Sequence, residues 1–356
     1  MMSKISLMSF FSLFICLHLM AAPSRPVYQV ISSHPHDVKE FSPFIKTIKQ
    51  EGRLWLVELD AKAPTHVLKN LRPVRSDSVK HFSYSGEKFL LSSSVIQDFV
   101  SRIDANGIKQ DVEMLANFKS RQAGSPDNQR ATAQLKEILL GLGLEVKEFC
   151  YRAGACSLVA DKKGESKPDE VIMLFGHFDS VGKNFAGADD NASGAAVLLE
   201  VARALKDYGN KRTFRYFATN GEENGLLGAE HYANELIKSG EIKKIVLGIN
   251  MDMVGYNSNG IVELETDGQY ESLAKWFSSL AITYTKLKTK ITIGAWGSDH
   301  VPFIQAGVPT LLTIEDWSTK TPCYHMECDK PSSLNYNYAA EIAKLNMAAM
   351  MTRDDQ

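Results

Sequence analysis

Residues 170–194 read EVIMLFGHFDSVGKNFAGADDNASG. The apolar run Val171–Phe175 shows no alternation with polar residues, as a strand buried on both faces would read. It ends in Gly176-His177-Phe178-Asp179-Ser180. A turn of small residues, Gly187-Ala188-Asp189-Asp190-Asn191-Ala192-Ser193-Gly194, then opens an apolar helix over Ser193–Leu205. The same alternation continues: strand Thr213–Thr219, helix Leu226–Ser239, strand Ile245–Met253, helix Gln269–Leu280, strands Lys290–Ile293 and Val308–Ile314, and a closing helix Tyr338–Met351. Upstream, Asp111–Phe118 and Gln129–Leu142 carry helical spacing, and Gly143 ends the second as a C-cap glycine would. Strands alternating with helices predict an α/β fold: a mixed, mainly parallel sheet sandwiched by helices.

In open α/β sheets, sites form beyond the carboxyl ends of strands. Here each such end delivers a carboxylate or an imidazole. His177 and Asp179 follow the first strand, and Asp189 and Asp190 sit in the next turn. Glu222 and Glu223 follow Thr219, Asp252 follows Ile245–Asn250, and His325 lies after Val308–Ile314. Each alone reads as an ordinary surface or turn residue. Together they form a mixed nitrogen and oxygen donor set that suits zinc, with other divalent first-row metals possible.

The rest of the chain sets boundaries. It has 356 residues, 44% hydrophobic and 23% charged, which excludes a disordered or coiled-coil chain. A net charge of −2 offers no basic face for a nucleic-acid partner. Residues 1–22 have Lys4, an apolar stretch from Ile5 to Met20, and small residues at Ala21 and Ala22. This predicts a signal peptide cleaved near Ala21 or Ala22, and hence a secreted or periplasmic protein with no stable membrane insertion. Residues 23–97 hold 11 Lys/Arg against 7 Asp/Glu, while residues 98–356 hold 28 against 35. The first segment, with strand-like runs at Val27–Ile31, Leu54–Leu59 and Phe89–Leu91, is predicted to be a β-rich pro-segment or accessory domain. Ser83–Ser94 is its cleavable linker, and residues 98–356 form the catalytic unit. Export leaves Cys150, Cys156, Cys323 and Cys328. Two disulfides are expected; of three pairings, the local ones need least chain rearrangement.

The runs GHFDS, GADDNASG, NGEENGLLGAEHYA, NMDMVGY and GSDHVPFIQAGVP occur in the order found in the secreted bacterial leucyl aminopeptidase-like family, the co-catalytic di-zinc metalloexopeptidases. The resemblance covers about residues 110–350. It implies a zinc-exopeptidase fold, two Zn²⁺ per chain, peptide substrates and a monomeric enzyme. It implies Asp190 as bridging ligand, Glu223 and His325 on one zinc, His177 and Asp252 on the other, and Glu222 as general acid/base. Asp179 would accept the other N–H of His177. The resemblance further implies a cis peptide bond at Asp190–Asn191 and places Met253 in the side-chain pocket. Trp296 and Phe303, with Ile293, would complete an apolar wall for Leu-like N-terminal residues.

The chain departs from the family in two places. After His325 the run Met326-Glu327-Cys328-Asp329-Lys330 keeps only Asp329 of the family pattern. The cysteine pair flanks His325 instead of preceding Ser298-Asp299-His300. Three other functions remain open on this fold: a carboxypeptidase, a glutaminyl cyclase or a non-catalytic binding module. No arginine in the site loops serves the first. All five ligands are present, against the second, and Glu222 is intact, against the third.

Overall fold

A computed structural model describes residues 93–356, apart from 258, 295 and 296, and the backbone of five strands in the preceding segment. These five are β1 Val27–Ile31, β2 Ile45–Glu51, β3 Leu54–Leu59, β4 Arg72–Pro73 and β5 Lys80–Ser83. The first four make a small antiparallel sheet in the order β2-β3-β1-β4. The signal peptide, the run at 89–91 and Trp296 lie outside the described residues.

The rest of the chain begins with helices α1 Ser94–Val100, α2 Ala105–Ala116 and α3 Pro126–Gly141, followed by a hairpin, β6 Glu145–Arg152 and β7 Ala155–Lys162. Then come β8 Lys167–His177, α4 Gly194–Ala204, β9 Arg212–Thr219, α5 Leu227–Ser239, β10 Ile245–Met251 and β11 Ile261–Thr266. The unit finishes with α6 Glu271–Tyr284, β12 Lys288–Ile293, α7 His300–Gln305, β13 Thr310–Glu315 and α8 Tyr336–Asp355. The sheet order is β5-β12-β11-β13-β10-β8-β9-β7-β6. Its centre, β13-β10-β8-β9, is parallel throughout, while β7, β6 and β5 pair antiparallel at the two ends.

Side chains of β8 alternate between two cores, as period 2 requires. Ile172 and Leu174 join the larger core with α2, α4 and α8. Val171, Met173 and Phe175 meet α5 and Phe303 on the opposite face. Burial on both faces explains the unbroken apolar run. Two features differ from the sequence reading. The β6–β7 hairpin and β11 were not anticipated. Also, β5 adds to the edge of the large sheet against β12, so the segment before residue 98 contributes a strand to that sheet. Among the described residues no helix is long and apolar enough to cross a membrane.

Candidate active site

The parallel centre places three strand ends side by side. His177 is the last residue of β8, Asp252 follows β10, and Asn220 to Glu223 follow β9. A side chain at Gly176 would put its Cβ 2.6 Å from the Met251 carbonyl oxygen, so only glycine lets β8 and β10 approach this closely beside His177 and Asp252. His177 Nε2 lies 3.2 Å from Asp252 Oδ1 and 3.4 Å from Asp190 Oδ1. His325 Nε2 lies 3.0 Å from Asp190 Oδ2 and 3.2 Å from Glu223 Oε2.

These two triads share Asp190, which offers one oxygen to each imidazole. Ligands about 2.0–2.1 Å from a zinc ion, at tetrahedral angles, stand about 3.3 Å apart. The observed donor spacings fit that requirement on both sides of Asp190. His177 Nδ1 is 3.2 Å from the Asp179 carbonyl oxygen and 3.5 Å from Asp179 Oδ1. Its proton therefore belongs on Nδ1, which leaves the Nε2 lone pair facing the carboxylates. Burial works against a charged His177, but the carboxylates of Glu222 and Asp252 outweigh it and raise its pKa. The pocket thus has a strong demand for positive charge.

The loops are tied by hydrogen bonds that their sequences supply. The bond Asp190–Asn191 is cis, as the resemblance implied. Asn191 donates Nδ2 to the Met251 carbonyl at 2.9 Å, and its Oδ1 accepts the Gly194 N–H at 2.8 Å. Asp189 Oδ1 accepts the Gly255 and Tyr256 N–H groups, so it braces the loop after Asp252. Asp179 accepts the N–H of Glu222 on Oδ1 and of Glu223 on Oδ2, both at 3.2 Å. It therefore positions the Glu-Glu pair, while its carbonyl stands nearer than its carboxylate to the imidazole. Asp329 accepts the N–H groups of Asp189 and Asp190 at 2.8 and 3.1 Å. Burial holds its pKa up at about 6, although those two N–H groups pull it down. In the run Ser298-Asp299-His300, Ser298 accepts from Asn250, Asp299 accepts from Thr219, and His300 Nε2 meets Glu265. All three are supports beneath the site.

Arg121 has no counterpart in the sequence reading. It is fully buried and donates to the carbonyls of Phe178, Leu115, Ala186 and Gly187 at 2.5–2.9 Å. Burial lowers its pKa to about 10, and the nearby Asp329, Asp179, Asp190 and Glu223 keep it charged. It ties the stretch between His177 and Asp190 into one piece and places a cation behind the carboxylates. Its distance in sequence from every ligand hides this role.

The cysteines pair locally, Cys150 with Cys156 and Cys323 with Cys328. The second bridge closes a small loop around His325, whose φ is +56°. The Tyr324 ring stacks on His325 with centroids 3.9 Å apart, and Trp317 meets Tyr324 edge-on at 5.4 Å. Met253, next to Asp252, forms a small apolar cluster with Leu312 and Ile314, against which Trp317 and Tyr324 pack. Phe303 is elsewhere. It packs against Phe175 and Phe217 at 5.1 and 6.4 Å, in the core on the far face of the sheet, because the short helix α7 turns it inward. The wall beside Met253 is therefore built by Trp317 and Tyr324, not by Phe303, and Ile293 likewise belongs to the larger core.

The family profile described as Peptidase family M28 matches residues 157–350. Aminopeptidase YwaD of Bacillus subtilis (strain 168) is 30% identical over 252 residues, which are 67% of this chain and 54% of that protein. The chain thus spans about half the length of that curated relative. Among solved structures, LapB from Legionella pneumophila superposes with a TM-score of 0.71 at 20% identity, over 92% of this chain and 99% of LapB. A glutaminyl cyclase of Porphyromonas gingivalis superposes with a TM-score of 0.59 at 21% identity, over 71% of this chain and 99% of that one. Fold alone therefore does not choose between peptidase and cyclase. The family profile covers His177, Asp190, Glu222, Glu223, Asp252 and His325: the chain belongs to peptidase family M28.

Proposed function

We propose that this protein is a zinc-dependent aminopeptidase that removes apolar, Leu-like residues from the N-termini of peptides. The observation that carries the reading is the pair of donor triads sharing Asp190, with Glu222 beside them. His177, Asp190 and Asp252 would hold one zinc; Asp190, Glu223 and His325 the other. When bound, the ions polarise the scissile carbonyl and lower the pKa of a water molecule. Glu222 would serve as the general base toward an attacking water and would return the proton to the leaving amine. The Asp179 carboxylate holds the Glu222 backbone in place for this exchange. Asp179 is thus a positioning residue. The side chain of the first substrate residue would lie against Met253, Trp317 and Tyr324. Trp296 remains a candidate for that wall. One chain supplies every residue of the site, which supports a monomer.

The two disulfides, with the leader-like residues 1–22, support a secreted or periplasmic protein. Residues 23–92 would act as a pro-segment. The charge contrast between the two parts of the chain supports docking, as does the pairing of β5 with β12. The cleavage window is narrower than the sequence suggested. Ser93 caps α1 and Ile96 is buried in it, so a protease must cut before Ser93.

The test is hydrolysis of aminoacyl-p-nitroanilides by the protein cut within residues 84–92. Leucyl-p-nitroanilide should be hydrolysed, chelator should abolish the rate, and zinc should restore it. N-acetyl-leucyl-p-nitroanilide should be inert. A rate that survives metal removal, or equal hydrolysis of the acetylated substrate, would refute the reading.

A further inference from the structure

Lys320 lies in the loop between β13 and His325. Its ammonium sits 4.4 Å from the centre of the Trp317 ring and 5.9 Å from that of Tyr324. These are the two rings that wall the apolar cluster of Met253, Leu312 and Ile314, and Tyr324 in turn stacks on His325. The cation is thus held by cation–π attraction on the two rings proposed to line the pocket for the first side chain.

Nearby carboxylates are committed elsewhere. Asp316 accepts from Lys290, Ser318 and Asn259. Glu263 takes Lys290 and the Trp317 N–H, and Glu315 takes the Thr321 N–H. Among the described residues Lys320 makes no ion pair. The carboxyl that Lys320 acts on, Glu315, is turned to the Thr321 N–H rather than to the ammonium. A cation on an aromatic wall that forms no ion pair discriminates ligands by sign: it favours an anion beside the wall and repels a cation.

Resting on the aminopeptidase reading, we infer that Lys320 is a specificity residue of the same site, selecting against N-terminal lysine and arginine and tolerating aspartate and glutamate. The apolar wall still makes leucine the best substrate. The charge of Lys320 orders the charged residues beneath it.

The experiment compares leucyl-, glutamyl- and lysyl-p-nitroanilides with the zinc-loaded wild type, Lys320→Met, Lys320→Glu and Lys320→Arg. These substrates carry no terminal carboxylate, so only the side-chain charge varies. The readout is the ratio of kcat/KM for Glu over Lys within each protein, so a general loss of activity cancels. The ratio should fall about tenfold in Lys320→Met and about tenfold further in Lys320→Glu. Lys320→Arg should restore it, and added salt should shrink the differences. If wild type cleaves the leucyl substrate but the ratio is the same in all four proteins, Lys320 does not select and the inference is overturned. A wild type that cleaves none of the three would overturn the aminopeptidase reading and this inference together.

Discussion

The two halves of the proposed metal site are built differently. His177, Asp190 and Asp252 are buried and stand on strand ends or on a turn laced to them. Asp179, Asn191 and Arg121 hold them from behind. His325, on the other half, is partly exposed. It sits on a loop at the surface, held by one disulfide, one ring stack and the bonds made by Asp329 and Glu315. A rigid half and a surface half sharing one carboxylate should part with their ions in sequence. The His325 side should exchange first, and the shared Asp190 should govern both.

The largest test addresses the shared residue. Asp190→Ala should lose both zinc ions and all activity, measured by metal analysis alongside turnover. Glu222→Gln separates chemistry from binding. It is nearly isosteric and stands outside both triads, so it should keep two zinc ions while kcat falls by ~10²–10⁴-fold. Near-normal kcat with two ions bound would remove Glu222 from the mechanism. Retention of both ions by Asp190→Ala would show that the halves are independent.

The next test sets the two disulfides against each other. Replacing Cys323 and Cys328 with serine frees the loop that presents His325. One zinc should then bind about 10–100-fold more weakly, the range seen when the supports of a ligand are removed. The same change at Cys150 and Cys156, in the β6–β7 hairpin that meets the Glu222–Glu223 loop through the Cys156 carbonyl and Asn220, should weaken binding less, since the backbone pairing of β6 with β7 remains. Titration against a chromogenic chelator reads the two ions separately. Equal effects of the two pairs would deny the surface half its special weakness.

Arg121→Lys probes the rigid half. Lysine keeps the charge but cannot reach four carbonyls that diverge around a planar fork. Zinc on the His177 side should weaken by about tenfold, with less effect on the His325 side. Restoring charge without geometry thus fails to rescue, which a purely electrostatic role would not allow.

What could be read in advance follows the same division. The candidate ligands His177, Glu222, Glu223 and Asp252 drew notice because they lie at or just past the ends of apolar strands, and strand ends converge on one rim whatever their order in the sheet. The parallel centre was legible because burial on both faces leaves a long apolar run in β8. The hairpin β6–β7 was not, because its outer strand is largely exposed and its residues alternate like any surface segment. Arg121 was hidden since its partners are backbone carbonyls, which leave no pattern of residue types. The packing of Phe303 in a cluster separate from that of Met253 was hidden, since nothing in the sequence says which face of the short helix α7 turns toward the core.

The smallest effect is expected at Glu315, at the end of β13, where the surface half is anchored. Its Oε1 accepts the Thr321 N–H at 2.9 Å, and Oε2 has no hydrogen-bond partner among the described residues. Burial pushes its carboxyl up to about 10, with repulsion from Asp189 adding to the shift. In the folded protein Glu315 is therefore protonated at neutral pH, whereas in the unfolded chain it ionises near pH ~4.3. Its contribution to stability is complete below the unfolded value and declines as pH rises toward the folded one, because the unfolded state releases its proton first. Glu315→Gln keeps the acceptor oxygen and removes the titration. The variant should melt near the wild type at pH 5 and increasingly above it between pH 6 and 9, with both proteins zinc-saturated. Melting curves that shift in parallel over that range would mean that Glu315 is ionised in the fold, and the anchor of the His325 loop would then be a charged one.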